Sequence, residues 1–287
     1  MTRRSRRVRP EPRHYRTTSR DAEIVLAVGR MAQATSDQLR RLFFGDSSTA
    51  SRRLAKLAGI NLLDVHAPDL NACNVFTLGT QGAAFLTELG YSTQHLHRAR
   101  LRRGVDRHLQ LLNELRVELV LSVRGRADVT LRAFHADLDL RRAAGASVPS
   151  YIPDAVVELT VGASSLALLV EVDLGTEGLS EFAVKVETTV DLWQAGETCW
   201  GAKAGSWRPI ALTVNPTRAR ALARCIVAGG GGALWLIGEF VVLAERGALG
   251  PFLATAEEVA ATPRVTDLVY AGALAPALTQ EAGDAAR

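Results

Sequence analysis

The chain has 287 residues and a formal net charge of +4 at pH 7. This length is enough for about two domains, and no apolar run approaches the ~20 residues that a membrane helix needs. The arginine-rich start is not followed by an apolar segment, which argues against a secretory signal. Three scattered cysteines, Cys73, Cys199 and Cys225, form neither a disulfide framework nor a zinc motif, so a cytoplasmic protein is expected.

The charge is distributed unevenly along the chain. Through Arg126 there are 22 Lys and Arg against 11 Asp and Glu, whereas the remainder has 12 against 19. The first part therefore carries +11 and the second −7. A basic half joined to an acidic half indicates that the first half meets a polyanion.

The chain begins with a strongly basic segment. Its first twenty residues hold eight arginines and one acid. Such a composition cannot bury a core, so residues 1–18 are predicted to be a disordered basic arm. Two interpretations stay open for it: an arm that lies along DNA phosphates, or a tail that only confers solubility.

Residues 19–90 have the pattern of a winged helix-turn-helix domain. Apolar spacing predicts three short helices, then a strand, a polar loop and a second strand, and a closing helix. The predicted helix caps are Ser19, then Thr35 or Ser36, then Ser47 or Ser48. The predicted elements are Asp21–Arg30, Asp37–Phe44, Thr49–Ala58, Leu62–Val65, Val75–Leu78 and Gly79–Leu89.

The third of these helices is the candidate DNA-reading element. Its outward face is predicted to hold Ser51, Arg52, Arg53 and Lys56, which would enter the major groove of double-stranded DNA, while a wing at residues 66–71 would touch the DNA backbone. The alternative is a small helical domain that docks a protein partner. The basic charge of this half favours DNA.

Residues 91–104 form a basic connector, and a second domain is predicted over residues 105–275, before a disordered tail at 276–287. His95, His97 and His108 suggest no metal site, because no cysteine or carboxylate accompanies them at ligand spacing.

The second domain is predicted to combine helices and strands. Its predicted elements are a helix at Val105–Val123, a strand at Val129–Phe134, irregular chain at Ala136–Ser150, strands at Ile152–Leu159 and Ser164–Asp173, a helix at Leu179–Trp193, a strand at Pro209–Val214, a helix at Thr217–Val227 and a strand or strand pair at Leu234–Leu243.

Two neighbouring strands of this domain carry three acids. Glu171 and Asp173 share one face of their strand because side chains alternate. If Asp154 meets them from the preceding strand, the three carboxylates repel unless a cation such as Mg²⁺ or Mn²⁺ compensates. The alternative is structural: Asp173 caps the turn at Gly175, and Asp154 pairs with an arginine.

The order helix, three strands, helix, strand, with Pro153-Asp154 and later Glu171-Val172-Asp173, resembles the αβββαβ core of restriction-endonuclease-like, PD-(D/E)XK nucleases. The full pattern adds a winged helix, His108 and Asn113 on one helix, and Lys185. With these features the chain resembles the bacterial replication-relaxation family, which is associated with plasmid and mobile-element replication or relaxation. The resemblance implies a two-domain protein of the α+β or α/β class.

The resemblance also implies roles for individual residues. Asp154 and Glu171 would hold Mg²⁺ or Mn²⁺, with Asp173 as a third ligand. Asp173 stands where such nucleases have a catalytic lysine, so Lys185 on the next helix would supply the ammonium group. Catalytic roles would then fall to Asp154, Glu171 and Lys185, unless the domain is inactive and binds DNA or a partner.

Three functions follow as alternatives. The first is a DNA-binding accessory protein of plasmid or mobile-element replication or relaxation, which works with a relaxase or a plasmid replication initiator. The second is a Mg²⁺-dependent DNA nickase or endonuclease. The third is a winged-helix transcriptional regulator.

Overall fold

The computed structural model describes residues 16–66, 73–97, 106–145, 149–203, 205–262, 264 and 270. The chain divides into two compact units, residues 1–105 and 106–287, each with its own β-sheet. The expected mixed α+β, two-domain arrangement is therefore confirmed. Within the described ranges, no helix is long and apolar enough to cross a membrane. Residues 1–15 of the predicted basic arm, residues 67–71 of the predicted wing, residues 98–104 of the predicted connector and the predicted tail lie outside these ranges.

The first unit consists of short helices and a small antiparallel sheet, in the strand order β1-β3-β2. Its described elements are α1 (Ser19–Met31), β1 (Ala34–Thr35), α2 (Ser36–Phe43), α3 (Ser47–Gly59), β2 (Leu63–His66), β3 (Val75–Leu78) and α4 (Gly82–Glu88).

Side-chain caps explain where the first three helices begin. Thr18, Thr35 and Asp46 each accept a hydrogen bond from the third backbone N–H of the helix that follows. The sequence placed the first cap at Ser19 and the third at Ser47 or Ser48. Both predictions were one or two residues late, because Thr18 and Asp46 are also good cap residues and pattern alone does not rank such neighbours.

The second unit is built on a six-stranded mixed sheet in the order β4-β5-β6-β7-β8-β9. Its elements are α5 (Arg107–Val123), β4 (Val129–Ala136), α6 (Asp137–Ala144), β5 (Ala155–Val161), β6 (Ser164–Asp173), α7 (Leu179–Gln194), β7 (Trp207–Thr213), α8 (Pro216–Ala228), β8 (Leu236–Glu239), α9 (Phe240–Arg246), β9 (Leu253–Thr255) and α10 (Ala256–Ala261). Strands β6, β7 and β8 run parallel, and the other pairs are antiparallel.

Helices cover both faces of this sheet. Leu115 of α5 and Leu243 of α9 pack into the core on one face, and Phe182 of α7 and Leu222 of α8 pack into the core on the other. Alternate residues of β6 point to opposite faces, as expected for a strand buried on both sides. Leu168 and Val170 belong to the core with Leu115, whereas Ala167 and Leu169 pack in a separate cluster with Tyr151 and Trp207. The acidic end of β6, Glu171–Asp173, pairs in parallel with Ala211–Thr213 of β7.

Two predictions of local structure were wrong. Residues 137–144 form helix α6 and not irregular chain, and Asp137 pairs there with Arg141 at helical spacing. The apolar run at residues 234–243 is not a strand pair, because β8 ends at Glu239 and helix α9 starts at Phe240. A short apolar run does not distinguish strand from helix by itself.

Candidate functional site

Asp154 immediately precedes β5 and links that strand to two other elements. Its Oδ2 accepts a hydrogen bond from the backbone N–H of Val172 on β6 at 2.8 Å, and it lies 3.0 Å from Nε2 of His108 on α5. The hydrogen bond to Asp154 raises the pKa of His108, and burial opposes this only in part. The carboxylate is thus fixed beside the end of β6.

Glu171 occupies that end of β6 and is only 2% exposed. Its Oε1 accepts a hydrogen bond from the hydroxyl of Tyr151 at 2.9 Å, and its Oε2 accepts one from Nζ of Lys185 at 2.8 Å. Lys185 reaches the site from α7 and also donates to Glu177 at 3.0 Å. One lysine therefore bridges two carboxylates.

The charges around Glu171 do not balance. Burial, and then the charge of Asp154, raise the pKa of Glu171 to about 7, although Lys185 and Tyr151 oppose the increase. Burial alone would lower the pKa of Lys185, but the charges and hydrogen bonds of Glu171 and Glu177 raise it overall. The ammonium group therefore stays charged, while burial favours the protonated form of Glu171.

Asp173 pairs with an arginine of α8 and not with Lys185. Its two oxygens accept hydrogen bonds from Nε and Nη2 of Arg218 on α8 at 2.8 and 2.7 Å. The backbone N–H of Gly175 also donates to Oδ1 at 2.7 Å, so Asp173 caps the turn after β6. The structural alternative for Asp173 is therefore present in the fold, whereas Asp154 contacts a histidine and not an arginine.

The structure thus brings Asp154, Glu171 and Lys185 into one network and directs Asp173 to an arginine. In the described part of the chain, no group of three or more His, Cys, Asp and Glu side chains is placed to hold a metal ion. The acidic site consequently contains the carboxylates of Asp154 and Glu171, while that of Asp173 pairs with Arg218.

Sequence reasoning did not assign three residues that shape this site. The sequence predicts no role for Tyr151 or Arg218, and it excludes His108 from a metal site without indicating that its ring contacts Asp154. The histidine lies 46 residues from its partner, and no periodicity connects such distant positions. The only available signal was the family pattern, which includes His108.

The four predicted DNA-reading residues lie on α3, but they divide into two sets. Ser51, Arg52 and Lys56 are exposed. Arg53 instead forms an ion pair with Asp21 of α1, whose side chain is fully buried. Arg53 therefore joins α3 to α1, and the exposed face has one cation fewer than predicted.

The raised pKa of Glu171 predicts a pH-dependent stability. In the unfolded chain this carboxyl loses its proton near its ordinary pKa of 4.5. In the folded chain its pKa is about 7, so it keeps the proton to a higher pH. The folded state binds more protons between these values, so the free energy of unfolding should fall as pH rises through them. Between pH 5 and 8 we expect the wild type to lose about 2–3 kcal/mol relative to Glu171→Gln in urea titrations. If plots of unfolding free energy against pH ran parallel for the two proteins, this prediction would be contradicted.

Comparison with known proteins gives a family but no close relative. No curated protein and no solved structure matches this chain. The family model described as replication-relaxation matches residues 27–206. This segment spans most of the first unit and the acidic site up to the start of β7. Because the match covers more than half of the sequence, the chain belongs to the replication-relaxation family.

Proposed function

We propose that this chain is a DNA-binding accessory protein of plasmid or mobile-element replication or relaxation, and that it acts with a relaxase or a plasmid replication initiator. In this proposal a winged helix-turn-helix domain binds double-stranded DNA and is followed by a PD-(D/E)XK nuclease-like domain. Family membership supports the replication role. The observation that carries the proposal is the network of Asp154, Glu171 and Lys185.

The element order of the first unit supports a winged helix. Helices α1 to α3 precede β2 and β3, the short β1 lies between α1 and α2, and β1 and β2 flank β3 in the sheet. The antiparallel pair β2–β3 corresponds to the two strands that a wing would join. Helix α3 presents Arg52 and Lys56 to solvent. An exposed basic helix of this kind suits the major groove and its phosphates.

The element order of the second unit supports a nuclease-like core. Helix α5, strands β4, β5 and β6, helix α7 and strand β7 follow the expected order, with α6 inserted between β4 and β5. Asp154 and Glu171 stand at the ends of adjacent strands. Asp173 stands where the nuclease motif has a lysine. In this proposal Lys185 of α7 supplies the ammonium group in place of that lysine.

The pair of carboxylates also fits a hard divalent cation. Mg²⁺ keeps several water ligands and commonly binds through one or two carboxylates, so Asp154 and Glu171 suffice as protein ligands. Burial is the largest cause of the raised pKa of Glu171, and the negative charge of nearby Asp154 is the second. A bound Mg²⁺ would supply charge stabilisation at a phosphate. Lys185 would position water or phosphate, and Tyr151 would orient Glu171 through its hydrogen bond.

This geometry favours metal-dependent nicking of DNA as a second candidate function. We expect the purified protein to convert supercoiled plasmid to the nicked form with Mg²⁺ or Mn²⁺, and Asp154→Ala or Lys185→Met to lower the rate at least 100-fold, because each removes a charged group from the reacting centre. Gel electrophoresis of the plasmid measures the rate.

The matched control for this assay is Glu187→Gln, which removes an exposed carboxylate from α7, the helix that carries Lys185, and should leave cleavage unchanged. Metal-dependent nicking that persists in Asp154→Ala would come from another site or a contaminant. A wild-type protein that binds DNA without cleaving it under any metal would reject the nickase and leave the DNA-binding proposal standing.

The winged-helix proposal has its own test. Replacing both Arg52 and Lys56 with alanine should weaken binding to duplex DNA on the order of tenfold and reduce the slope of log K against log salt by about two, since two phosphate contacts are lost. Fluorescence anisotropy at several salt concentrations measures both quantities. As a control, Arg224→Ala with Arg264→Ala removes two exposed arginines of the second unit. Equal losses in both double variants would reject a specific role for α3.

A further inference from the structure

A cavity of about 460 Å³ lies on the same sheet as the acidic site but is separate from it. It is lined by β5, β6 and the loop before β7, and none of Asp154, Glu171 and Lys185 contributes to it. Ala167 lines this cavity and shares a strand face with Glu171, four residues further along β6. At roughly 3.3 Å per residue, the two positions are about 13 Å apart.

An aromatic ring stands at the wall of the cavity. Trp200 is half-buried, and its backbone has a φ of +48°, a conformation that bulky residues rarely adopt. The turn that holds it is closed by paired hydrogen bonds between Cys199 and Ala202. Its Nε1 donates to the carbonyl of Tyr151 at 3.2 Å, and the hydroxyl of Tyr151 donates to Glu171. The ring is therefore fixed in place by a residue that also touches the acidic site.

Charged and hydroxyl groups complete the lining. Arg132 and Lys203 are exposed cations at the cavity, and neither side chain forms a hydrogen bond or an ion pair with another residue in the described ranges. Glu158 and Ser165 add acceptors and a donor on the β5–β6 side. The cavity thus combines a flat aromatic surface, two exposed cations and a few polar groups.

We propose that this cavity, the Trp200 cavity, binds one unstacked nucleotide of a single DNA strand. The base would stack on Trp200, the phosphate would contact Arg132 and Lys203, and Glu158 would accept a hydrogen bond from an exocyclic amino group of the base. A simple anion would not use the aromatic ring, and an apolar ligand would not use the two cations. The inference rests on the proposed function, because it takes DNA as the ligand.

Tryptophan fluorescence tests this proposal in the full-length protein. All four tryptophans lie in the second unit, and Trp207 and Trp235 are fully buried, so quenching by an oligonucleotide reports on Trp200 and Trp193. We expect a ten-nucleotide single strand of deoxycytidines, added in EDTA, to quench the wild type. Trp200→Phe should abolish most of the quenching, and Trp200→Ala should weaken binding about tenfold, as is typical when a stacking platform is lost.

Two further comparisons separate base stacking from charge and from misfolding. Arg132→Ala with Lys203→Ala should raise the oligonucleotide concentration needed for half-maximal quenching about tenfold, whereas Arg224→Ala with Arg264→Ala should not. An abasic oligonucleotide of equal length should not quench the wild type, because it offers phosphates without bases. If Trp200 variants lose their fold, as judged by circular dichroism, these two comparisons still decide whether the cavity binds a nucleotide.

Quenching that is unchanged in Trp200→Phe, or equal quenching by the abasic strand, would overturn the inference. Its failure is distinct from failure of the proposed function, because duplex binding is measured through Arg52 and Lys56 and cleavage through Asp154. If the double variant Arg52→Ala with Lys56→Ala keeps full quenching while its duplex binding falls, the winged-helix proposal and the nucleotide-binding inference are both supported.

Discussion

Replacing Arg218 with alanine is expected to destabilise the second unit by about 3 kcal/mol, because the carboxylate of Asp173 would remain buried without its partner. Asp173 is 4% exposed and accepts two hydrogen bonds from the Arg218 guanidinium. Arg218 also donates to the carbonyl of Glu177 at 2.7 Å, so the turn between β6 and α7 would lose a second contact. Urea unfolding followed by tryptophan fluorescence measures this change, since every tryptophan belongs to this unit.

The control is Arg224→Ala, which removes an exposed arginine from the same helix and should change the free energy of unfolding by less than about 0.5 kcal/mol. Adding Asp173→Asn to Arg218→Ala should recover part of the loss, because no unpaired charge then remains. If Arg218→Ala kept full stability while Asp173→Asn abolished metal-dependent cleavage, Asp173 would be a metal ligand and not a structural partner of α8.

A second large effect is expected in the first unit. Arg53→Ala should lower its free energy of unfolding by about 3 kcal/mol, because Asp21 is fully buried and Arg53 is its charged partner. Burial alone would raise the pKa of Asp21, but hydrogen bonds from Arg53 and Thr18 outweigh it and lower the pKa below 3.8. The pair therefore stabilises the fold above that pH and loses its effect as pH falls through the folded-state pKa.

Thermal unfolding followed by far-ultraviolet circular dichroism measures the loss, since this unit has no tryptophan. Its neighbour Arg52 is exposed and provides the comparison. Arg52→Ala should weaken DNA binding without changing stability. Arg53→Ala should lower stability but leave DNA binding unchanged at temperatures where the variant is folded. An Arg53→Ala variant with wild-type stability and weakened, salt-dependent DNA binding would restore Arg53 to the DNA-reading face.

Much of the local structure followed from the sequence. The strands at residues 75–78 and 164–173 have the predicted bounds, and the turn between β5 and β6 is at Gly162, whose φ of +56° suits glycine. These features depend on alternation, turn residues and caps within a few positions. The family assignment also came from the sequence, because motif order along the chain is sufficient for it.

The tertiary structure decided which charged groups meet. Arg53 and Asp21 are 32 residues apart, Arg218 and Asp173 are 45 apart, and His108 and Asp154 are 46 apart. A local pattern shows which face of a helix or strand a side chain occupies, but not which partner the fold brings within hydrogen-bond distance. The sequence by itself therefore determined most of the elements, the family and the candidate acids. Only the packing of α5, α7 and α8 around β6 determined that Glu171 meets Lys185 while Asp173 meets Arg218, since ion pairing depends on distance in space and not along the chain.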